Sequence, residues 1–148
     1  MHMADYTLRE FNLERDYDAV LALWSTVGPG VHVGPSDSRD AIARKLERDP
    51  DLFLVAESDG RLVGNVIGGW DGRRGIAYHL AVDVEYRRQG VGLTLMSELE
   101  LRLRVRGCRR LWLLVHPDNE SAIAFYESLG WEKMPIQAMG KRIEETVA

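Results

Sequence analysis

The stretch from Leu80 to Met96 reads LAVDVEYRRQGVGLTLM and carries the most informative pattern of the chain. Its first residues are apolar and partly β-branched, which is typical of a strand. The turn that follows ends in two glycines, Gly90 and Gly92, and apolar residues then recur at helical spacing. The pattern therefore predicts a strand, a glycine-rich turn and the amino terminus of a helix in direct succession.

Such a succession can bind phosphate, because the unpaired N–H groups of a helix amino terminus and the helix dipole point at one place. Gly90 and Gly92 would let the backbone approach an anion without a Cβ in the way. An Arg-x-x-Gly-x-Gly pattern by itself is more typical of a tight turn with positive φ. It is not the dinucleotide fingerprint, which needs three glycines and an acidic residue about 20 residues further on. Taken alone, the pattern therefore favours a structural turn over an anion site.

Outward from this stretch, hydrophobic periodicity and turn signals predict the order β-α-α-β-β-β-α-β-α-β-β. The predicted strands are Tyr6 to Phe11, Leu52 to Glu57, Leu62 to Trp70, Ile76 to Val84, Leu111 to Val115 and a final hairpin from Trp131 to Ile143. The predicted helices are Asp16 to Val27, one capped by Ser36 or Ser38 and ending near Asp49, one closed by Gly107, and one capped by Asn119 or Ser121 and ended by Gly130. The continuous apolar run from Leu111 is expected to be covered on both faces.

Composition bounds the class of protein. A chain of 148 residues, 45% hydrophobic and 28% charged, suits one globular domain over residues 1–148. The net charge of −4 gives no global field that would attract nucleic acid or anionic lipid. Cys108 is the only cysteine, which excludes an internal disulfide and favours a reducing cytoplasm. We therefore expect a cytoplasmic protein that binds neither nucleic acid nor membrane.

Two stretches resemble one known family. Leu80 to Met96 resembles the central coenzyme A motif of the GNAT acetyltransferases, and Asn119 to Trp131, NESAIAFYESLGW, resembles the second motif of that family. The chain also resembles the YpeA-like bacterial subgroup at Leu52 to Glu57, Gly68-Gly69, Arg74-Gly75, Arg106-Gly107-Cys108 and Gly140-Lys141-Arg142. The resemblance implies an α/β (α+β) fold: a mixed, mostly antiparallel sheet of six to seven strands, about four helices, and a splayed parallel pair that holds coenzyme A.

The resemblance also implies an activity and a binding site. The enzyme would move an acetyl group from acetyl-coenzyme A to a primary amine, of a small molecule or a protein amino terminus, by direct attack. The pantetheine arm would pair with the strand before the turn, and the pyrophosphate would lie on the backbone of the turn with Arg88 as a charge partner. The residues implied to bind the coenzyme are Leu80, Ala81, Val82, Arg87, Arg88, Gln89, Gly90, Val91, Gly92, Leu93, Asn119 and Tyr126.

Two residues of the second motif match functional residues of the family, and each also has a common structural interpretation. Asn119 matches the asparagine that contacts the pantetheine arm or orders the loop beside it, and asparagine is also a preferred helix cap. Tyr126 matches the tyrosine that gives a proton to the departing thiolate, although a lone tyrosine on a helix more often packs. We interpret Tyr126 as the catalytic residue. Cys108, far from the coenzyme end of its strand, is interpreted as a small core residue.

The general base is not indicated by the resemblance, because Ile76 and Leu114 stand where many relatives carry a glutamate. Alkyl amines have a pKa of about 10, so a group or a water chain must accept a proton. Candidates are Tyr78, His79, Asp71 and His32, and for His79 packing on a sheet face is the favoured interpretation. The missing glutamates leave one alternative, a non-catalytic acetyl-coenzyme A sensor or interaction module. No metal is implied, and a homodimer and the acceptor are left open.

Overall fold

The computed structural model describes residues 5–144. The chain divides into two compact units, one ending at Leu113 and one beginning at Leu114. The single domain over residues 1–148 stays a prediction.

The first unit is built on one mixed sheet. Its strands are β1 (Thr7–Glu10), β2 (Phe53–Ser58), β3 (Arg61–Trp70), β4 (Gly75–Val82) and β5 (Leu111–Trp112), and they lie side by side in that order. The pairings from β1 to β4 are antiparallel, and β5 pairs with β4 in parallel. Asp59 and Gly60 join β2 to β3 and both have positive φ, 51° and 74°, as the Asp-Gly turn of a hairpin requires, so this turn can be predicted from the sequence.

The residues from 5 to 144 contain four α-helices: α1 (Leu13–Thr26), α2 (Arg39–Arg48), α3 (Val91–Val105) and α4 (Glu120–Ser128). The side chains of Asn12, Ser38 and Asn119 cap α1, α2 and α4 by accepting backbone N–H groups. The caps predicted at Ser38 and Asn119 are confirmed, whereas α1 begins earlier than Asp16 because Asn12 caps it. No helix in this part of the chain is long and apolar enough to cross a membrane.

Helices cover both faces of the sheet. On one face α3 approaches closely, since a Cβ added at Gly68 would lie 2.3 Å from Cδ1 of Leu99. On the other face α1 and α2 bury Trp24, Phe53 and Ile42 in one cluster with Ala81. The ring of Phe53 stacks on the ring of Phe11 with centroids 4.0 Å apart. The glycines of β3 therefore set how near α3 can lie.

The predicted count of six to seven strands is wrong for residues 5–144, which form a sheet of five. The strand expected from Leu111 to Val115 spans only Leu111–Trp112, and Leu114 is 78% exposed, so this run is not covered on both faces. The final hairpin is absent from residues 131–144. Pro135 interrupts that segment and has no N–H for a ladder, and Met139 is 93% exposed, so little apolar burial would support a strand there.

Candidate active site

The amino terminus of α3 has the features of an anion site. Gly90 is the N-cap residue with φ 83°, in the left-handed region that favours glycine, and no side chain caps the helix. The first N–H groups of a helix have no partner inside it, here those of Val91, Gly92 and Leu93. In the same unit α1 and α2 have side-chain caps. The backbone donors of α3 are therefore left for a group outside the helix.

Neighbouring side chains fix the shape of the turn. The hydroxyl of Tyr6 lies 3.3 Å from the carbonyl oxygen of Gly90 and 2.8 Å from Oγ1 of Thr94. The carboxylate of Asp83 accepts the N–H of Glu85 at 2.9 Å and pairs with Arg61 at 2.7 Å. The turn is thus held from both ends before any ligand binds.

The two arginines of the turn differ in their contacts. Arg87 donates from Nε to the carbonyl oxygen of Val82 at 3.3 Å, so its guanidinium lies against the end of β4. Arg88 is exposed, has φ 63°, and forms neither an ion pair nor a side-chain hydrogen bond with another residue in 5–144. Of the two, Arg88 therefore has the guanidinium that is not already bonded within the described residues.

The edge of β4 that faces β5 is paired only at its start, where Gly75 and Ile76 meet Leu111 and Trp112. The N–H of Asp83 donates to the carbonyl of Val63 on β3 at 2.8 Å. Because the N–H and C=O groups of successive strand residues point to alternate sides, those of Leu80 and Val82 face away from β3. Within residues 5–113 no strand pairs with that edge, so it can accept an extended ligand as a further strand.

A β-bulge interrupts β4 just before this edge. Asn65 pairs with Ala81 and Ile67 with Tyr78, so His79 and Leu80 together oppose Val66. His79 has φ 51°, which is uncommon for a residue with a Cβ. The extra residue shifts the alternation, so that Tyr78, His79 and Ala81 all lie on the face covered by α1 and α2. The His79 ring meets the Trp24 ring edge-on with centroids 4.8 Å apart.

The bulge brings His79 to a carboxylate that the sequence analysis did not single out. Nε2 of His79 lies 2.9 Å from Oδ1 and 3.1 Å from Oδ2 of Asp37, whose residue is 4% exposed. Oδ2 of Asp37 also accepts the N–H of Gly34 at 3.0 Å, and its carbonyl oxygen accepts the hydroxyl of Tyr17 at 2.7 Å. His79 is thus part of a half-buried polar pair rather than a ring packed on the sheet alone. Only a long-range contact, invisible in the sequence, reveals Asp37.

The other base candidates lie in different surroundings. Burial, followed by the negative charges of Asp49 and Asp37, raises the pKa of Tyr78 to about 12, so this phenol keeps its proton at neutral pH. Asp71 accepts the N–H groups of Arg73 and Arg74 in the turn before β4, and these bonds lower the pKa of its carboxyl. His32 is exposed in the loop that precedes Pro35.

The second motif lies in the unit that begins at Leu114. Oδ1 of Asn119 accepts the N–H of Ala122 at 3.2 Å, so the capping role is confirmed. The role in binding the coenzyme stays a prediction. Tyr126 is half-buried, and its ring packs edge-on against Phe125 and Trp131 with centroids 5.3 and 5.8 Å away. Burial raises the pKa of the Tyr126 phenol, so it holds a proton at neutral pH.

Three further residues bear on the predicted chemistry. Ile76 and Leu114, at the places of the family glutamates, are 39% and 78% exposed and supply no carboxylate. Cys108 lies beside the first residue of β4, because its sulfur would be 2.7 Å from a Cβ added at Gly75. That is the opposite end of β4 from Leu80, as expected from the sequence.

The described residues include no group of three or more His, Cys, Asp or Glu side chains placed to hold a metal ion.

Comparison with known proteins identifies the family. Residues 17–131 match the model of the acetyltransferase (GNAT) family. An acetyltransferase of Pectobacterium atrosepticum is 44% identical over 131 residues, which cover 88% of this chain and 91% of the relative. The chain therefore belongs to the acetyltransferase (GNAT) family, and it is an N-acetyltransferase by class.

Solved structures agree with this fold. The ribosomal-protein-S18-alanine N-acetyltransferase of Escherichia coli is similar with a TM-score of 0.68 and 26% identity, over 85% of this chain and 77% of that chain. The PaiA N-acetyltransferase of Thermoplasma acidophilum, in complex with coenzyme A, has a TM-score of 0.79 at 19% identity, over 90% and 93% of the two chains. At that identity the second likeness is one of fold alone.

Proposed function

We propose that this enzyme transfers the acetyl group of acetyl-coenzyme A to a primary amine by direct attack, without an acyl-enzyme. The observation that carries the proposal is the uncapped amino terminus of α3, which follows directly on the open edge of β4. Membership of the family supports the same donor. The stretches quoted above also lead us to propose that the chain belongs to the YpeA-like bacterial subgroup.

The residues of the turn and of β4 fit the two ends of the coenzyme. The pyrophosphate would lie on the backbone N–H groups from Arg87 to Leu93, which include the unpartnered donors of α3, with the exposed Arg88 as a charge partner. The pantetheine arm would pair with Leu80, Ala81 and Val82, the first and last of which face the open edge. When bound, acetyl-coenzyme A would supply an activated acetyl thioester. The N–H groups of this same edge would polarise its carbonyl.

Two side chains of the second motif complete the proposal. Tyr126 would donate its phenolic proton to the departing sulfur, which fits a phenol whose pKa is raised by burial. Asn119 would order the loop beside the pantetheine arm while it caps α4. Both assignments rest on the motif and on the chemistry of each group.

The acceptor is proposed as a primary amine, either of a small molecule or of a protein amino terminus. One structural neighbour at 26% identity is named for acetylation of the alanine of a ribosomal protein, which supports an amino-terminal acceptor. The loop from Gly28 to Pro35 lies beside the polar pair formed by His79 and Asp37, and its Val33 is 55% exposed. We expect this loop to select the acceptor.

The test is transfer itself. The purified protein is incubated with acetyl-coenzyme A and a panel of small amines and of peptides with free amino termini, and release of free thiol is measured together with the mass of the product. Thiol release that requires the amine, with one acetyl group added to it, supports the proposal. Binding of acetyl-coenzyme A without transfer to any primary amine would contradict it.

A further inference from the structure

We propose that His79 is the general base of this enzyme and that Asp37 is the residue that positions it. The inference rests on the proposed function, since it names the group that accepts the proton of the amine. It also gives a role to the loop before Pro35–Asp37, the 3₁₀ segment that carries Asp37.

The bulge in β4 places His79 where a base is needed. His79 comes directly before Leu80, the first residue of the edge proposed to bind the pantetheine arm, and one strand residue spans only about 3.3 Å. Regular alternation would have turned His79 toward α3. The bulge turns it instead toward α1, α2 and the loop proposed to select the acceptor. A positive φ at a non-glycine residue is retained where the surroundings enforce it, and such residues are common at functional sites.

The carboxylate determines which nitrogen is free. An ionised carboxylate can only accept hydrogen bonds, so Nε2 of His79, the nitrogen near Asp37, carries the hydrogen. The lone pair of the neutral imidazole is then on Nδ1. Nδ1 of His79 forms no hydrogen bond with another residue in 5–144, and the side chain is 19% exposed, so this nitrogen can accept a proton from a ligand. The N–H of Gly34 and the link from Tyr17 hold Asp37 in place. This arrangement orients the ring and stabilises the imidazolium that forms on proton uptake.

The charges around the ring come from every element packed on this face. The 3₁₀ segment Pro35–Asp37 supplies Asp37, and β4 supplies Tyr78, whose ring centroid is 5.7 Å from that of His79. At the end of α2, Lys45 pairs with Asp49, whose negative charge raises the pKa of Tyr78. From α1, Trp24 carries no charge. Because the phenol of Tyr78 keeps its proton at neutral pH, it does not compete with the imidazole as a base.

The transfer step balances with these groups. The amine nitrogen forms a bond to the acetyl carbon, and the bond between that carbon and the sulfur breaks. One proton of the amine goes to Nδ1 of His79, and the sulfur takes the phenolic proton of Tyr126. Exchange with solvent then returns both side chains to their starting protonation. The products are an amide and the free thiol of coenzyme A.

The experiment measures the single-turnover rate of transfer against pH, with one accepted amine and saturating acetyl-coenzyme A. The amine contributes equally to every profile, so differences between variants belong to the enzyme. We expect the wild-type rate to rise with pH more steeply than deprotonation of the amine alone accounts for, because the base of the enzyme must also be unprotonated. His79→Gln can still donate an amide N–H to Asp37 but cannot take up a proton, so the part of this limb that belongs to the enzyme should disappear and the rate should fall by about 10²–10⁴-fold. Affinity for acetyl-coenzyme A, measured by calorimetry, should not change.

Asp37→Asn tests the positioning role. Loss of the carboxylate removes what stabilises the imidazolium, so the acid limb should move to lower pH while the rate falls. A purely structural link between the loop and β4 would lower the rate without moving the limb, and that result would overturn the role of Asp37. A His79→Gln profile with the same shape as that of the wild type, or loss of the enzyme's part of the limb in His32→Gln instead, would overturn the role of His79. In either case wild-type transfer would still support the proposed function, whereas absence of transfer by the wild type would count against that function.

Discussion

Tyr126→Phe separates an acid catalyst from a packing residue. The phenylalanine keeps the edge-on contacts with Phe125 and Trp131, and within residues 114–144 no group hydrogen-bonds to the lost hydroxyl. The free energy of unfolding should therefore change by about 0.5 kcal/mol or less. If the phenol protonates the leaving sulfur, the chemical step should slow by about 100-fold or more. That loss corresponds to about 2.7 kcal/mol of barrier, far above the change in stability.

The assay is a rapid-quench single turnover with an accepted amine, because slow product release could hide the effect in steady state. Tyr86→Phe is the matched control, since its hydroxyl is 3.5 Å from Oγ of Ser58 and has no proposed role. The control should transfer acetyl at the wild-type rate. A Tyr126→Phe enzyme that does the same would show that water or another donor protonates the sulfur.

Three other predictions concern the turn and the fold. Gly90→Ala and Gly60→Ala both force alanine to positive φ, and the added Cβ would lie 4.0 Å from the Tyr6 hydroxyl at position 90 and have no atom within 4 Å at position 60. The cost to stability is similar, about 1–2 kcal/mol, but only Gly90→Ala should weaken acetyl-coenzyme A binding in calorimetry. Gly68→Ala should lower the free energy of unfolding by about 1–3 kcal/mol in urea titrations, because the new Cβ meets buried Leu99. Asp16 forms an ion pair with Arg9, and Asp16→Asn should destabilise the fold by about 3 kcal/mol at pH 7 and by much less near pH 2. An equal loss of stability at both pH values would contradict a stabilising role for this ion pair.

The pH dependence at Asp16 follows from its surroundings. Burial would raise the pKa of this carboxyl, but the hydrogen bonds from Arg9 and from the N–H of Asn12 outweigh burial and lower it. A lowered pKa means that the ionised carboxylate stabilises the fold above the pKa of the unfolded chain, about 3.9. That stabilisation is lost as the pH falls through the lower pKa of the folded state. Thermal unfolding between pH 2 and 7 measures the difference directly.

Local signals were enough to predict most elements. The Asp-Gly turn, the caps at Ser38 and Asn119 and the glycine-rich turn before α3 are encoded in a few adjacent residues, and the structure confirms them. The site residues of β4 and the turn were predicted from the motif, and their role in binding stays a prediction. These features could be predicted because they depend on the backbone conformations and hydrogen bonds of residues adjacent in sequence.

Features whose partners are distant in the chain could not be predicted from local patterns. Whether the run from Leu111 continues as a strand depends on a neighbouring ladder, and pairing with β4 stops at Trp112. The hairpin to Ile143 was predicted from apolar residues that the structure leaves exposed. The bulge at His79 cannot be seen in alternation alone. It matters because it creates the contact with Asp37, across 42 positions of sequence.

The most direct test of the proposed coenzyme site is the response of backbone amides to acetyl-coenzyme A. In a ¹H–¹⁵N correlation spectrum, titration to saturation should shift the amides of Arg88, Gly90, Gly92 and Leu93 most strongly, together with those of Leu80 and Val82. The same amides should shift less in Gly90→Ala at equal ligand concentration. If acetyl-coenzyme A binds and these amides stay unmoved while others shift, the coenzyme lies elsewhere and the account of the site is wrong.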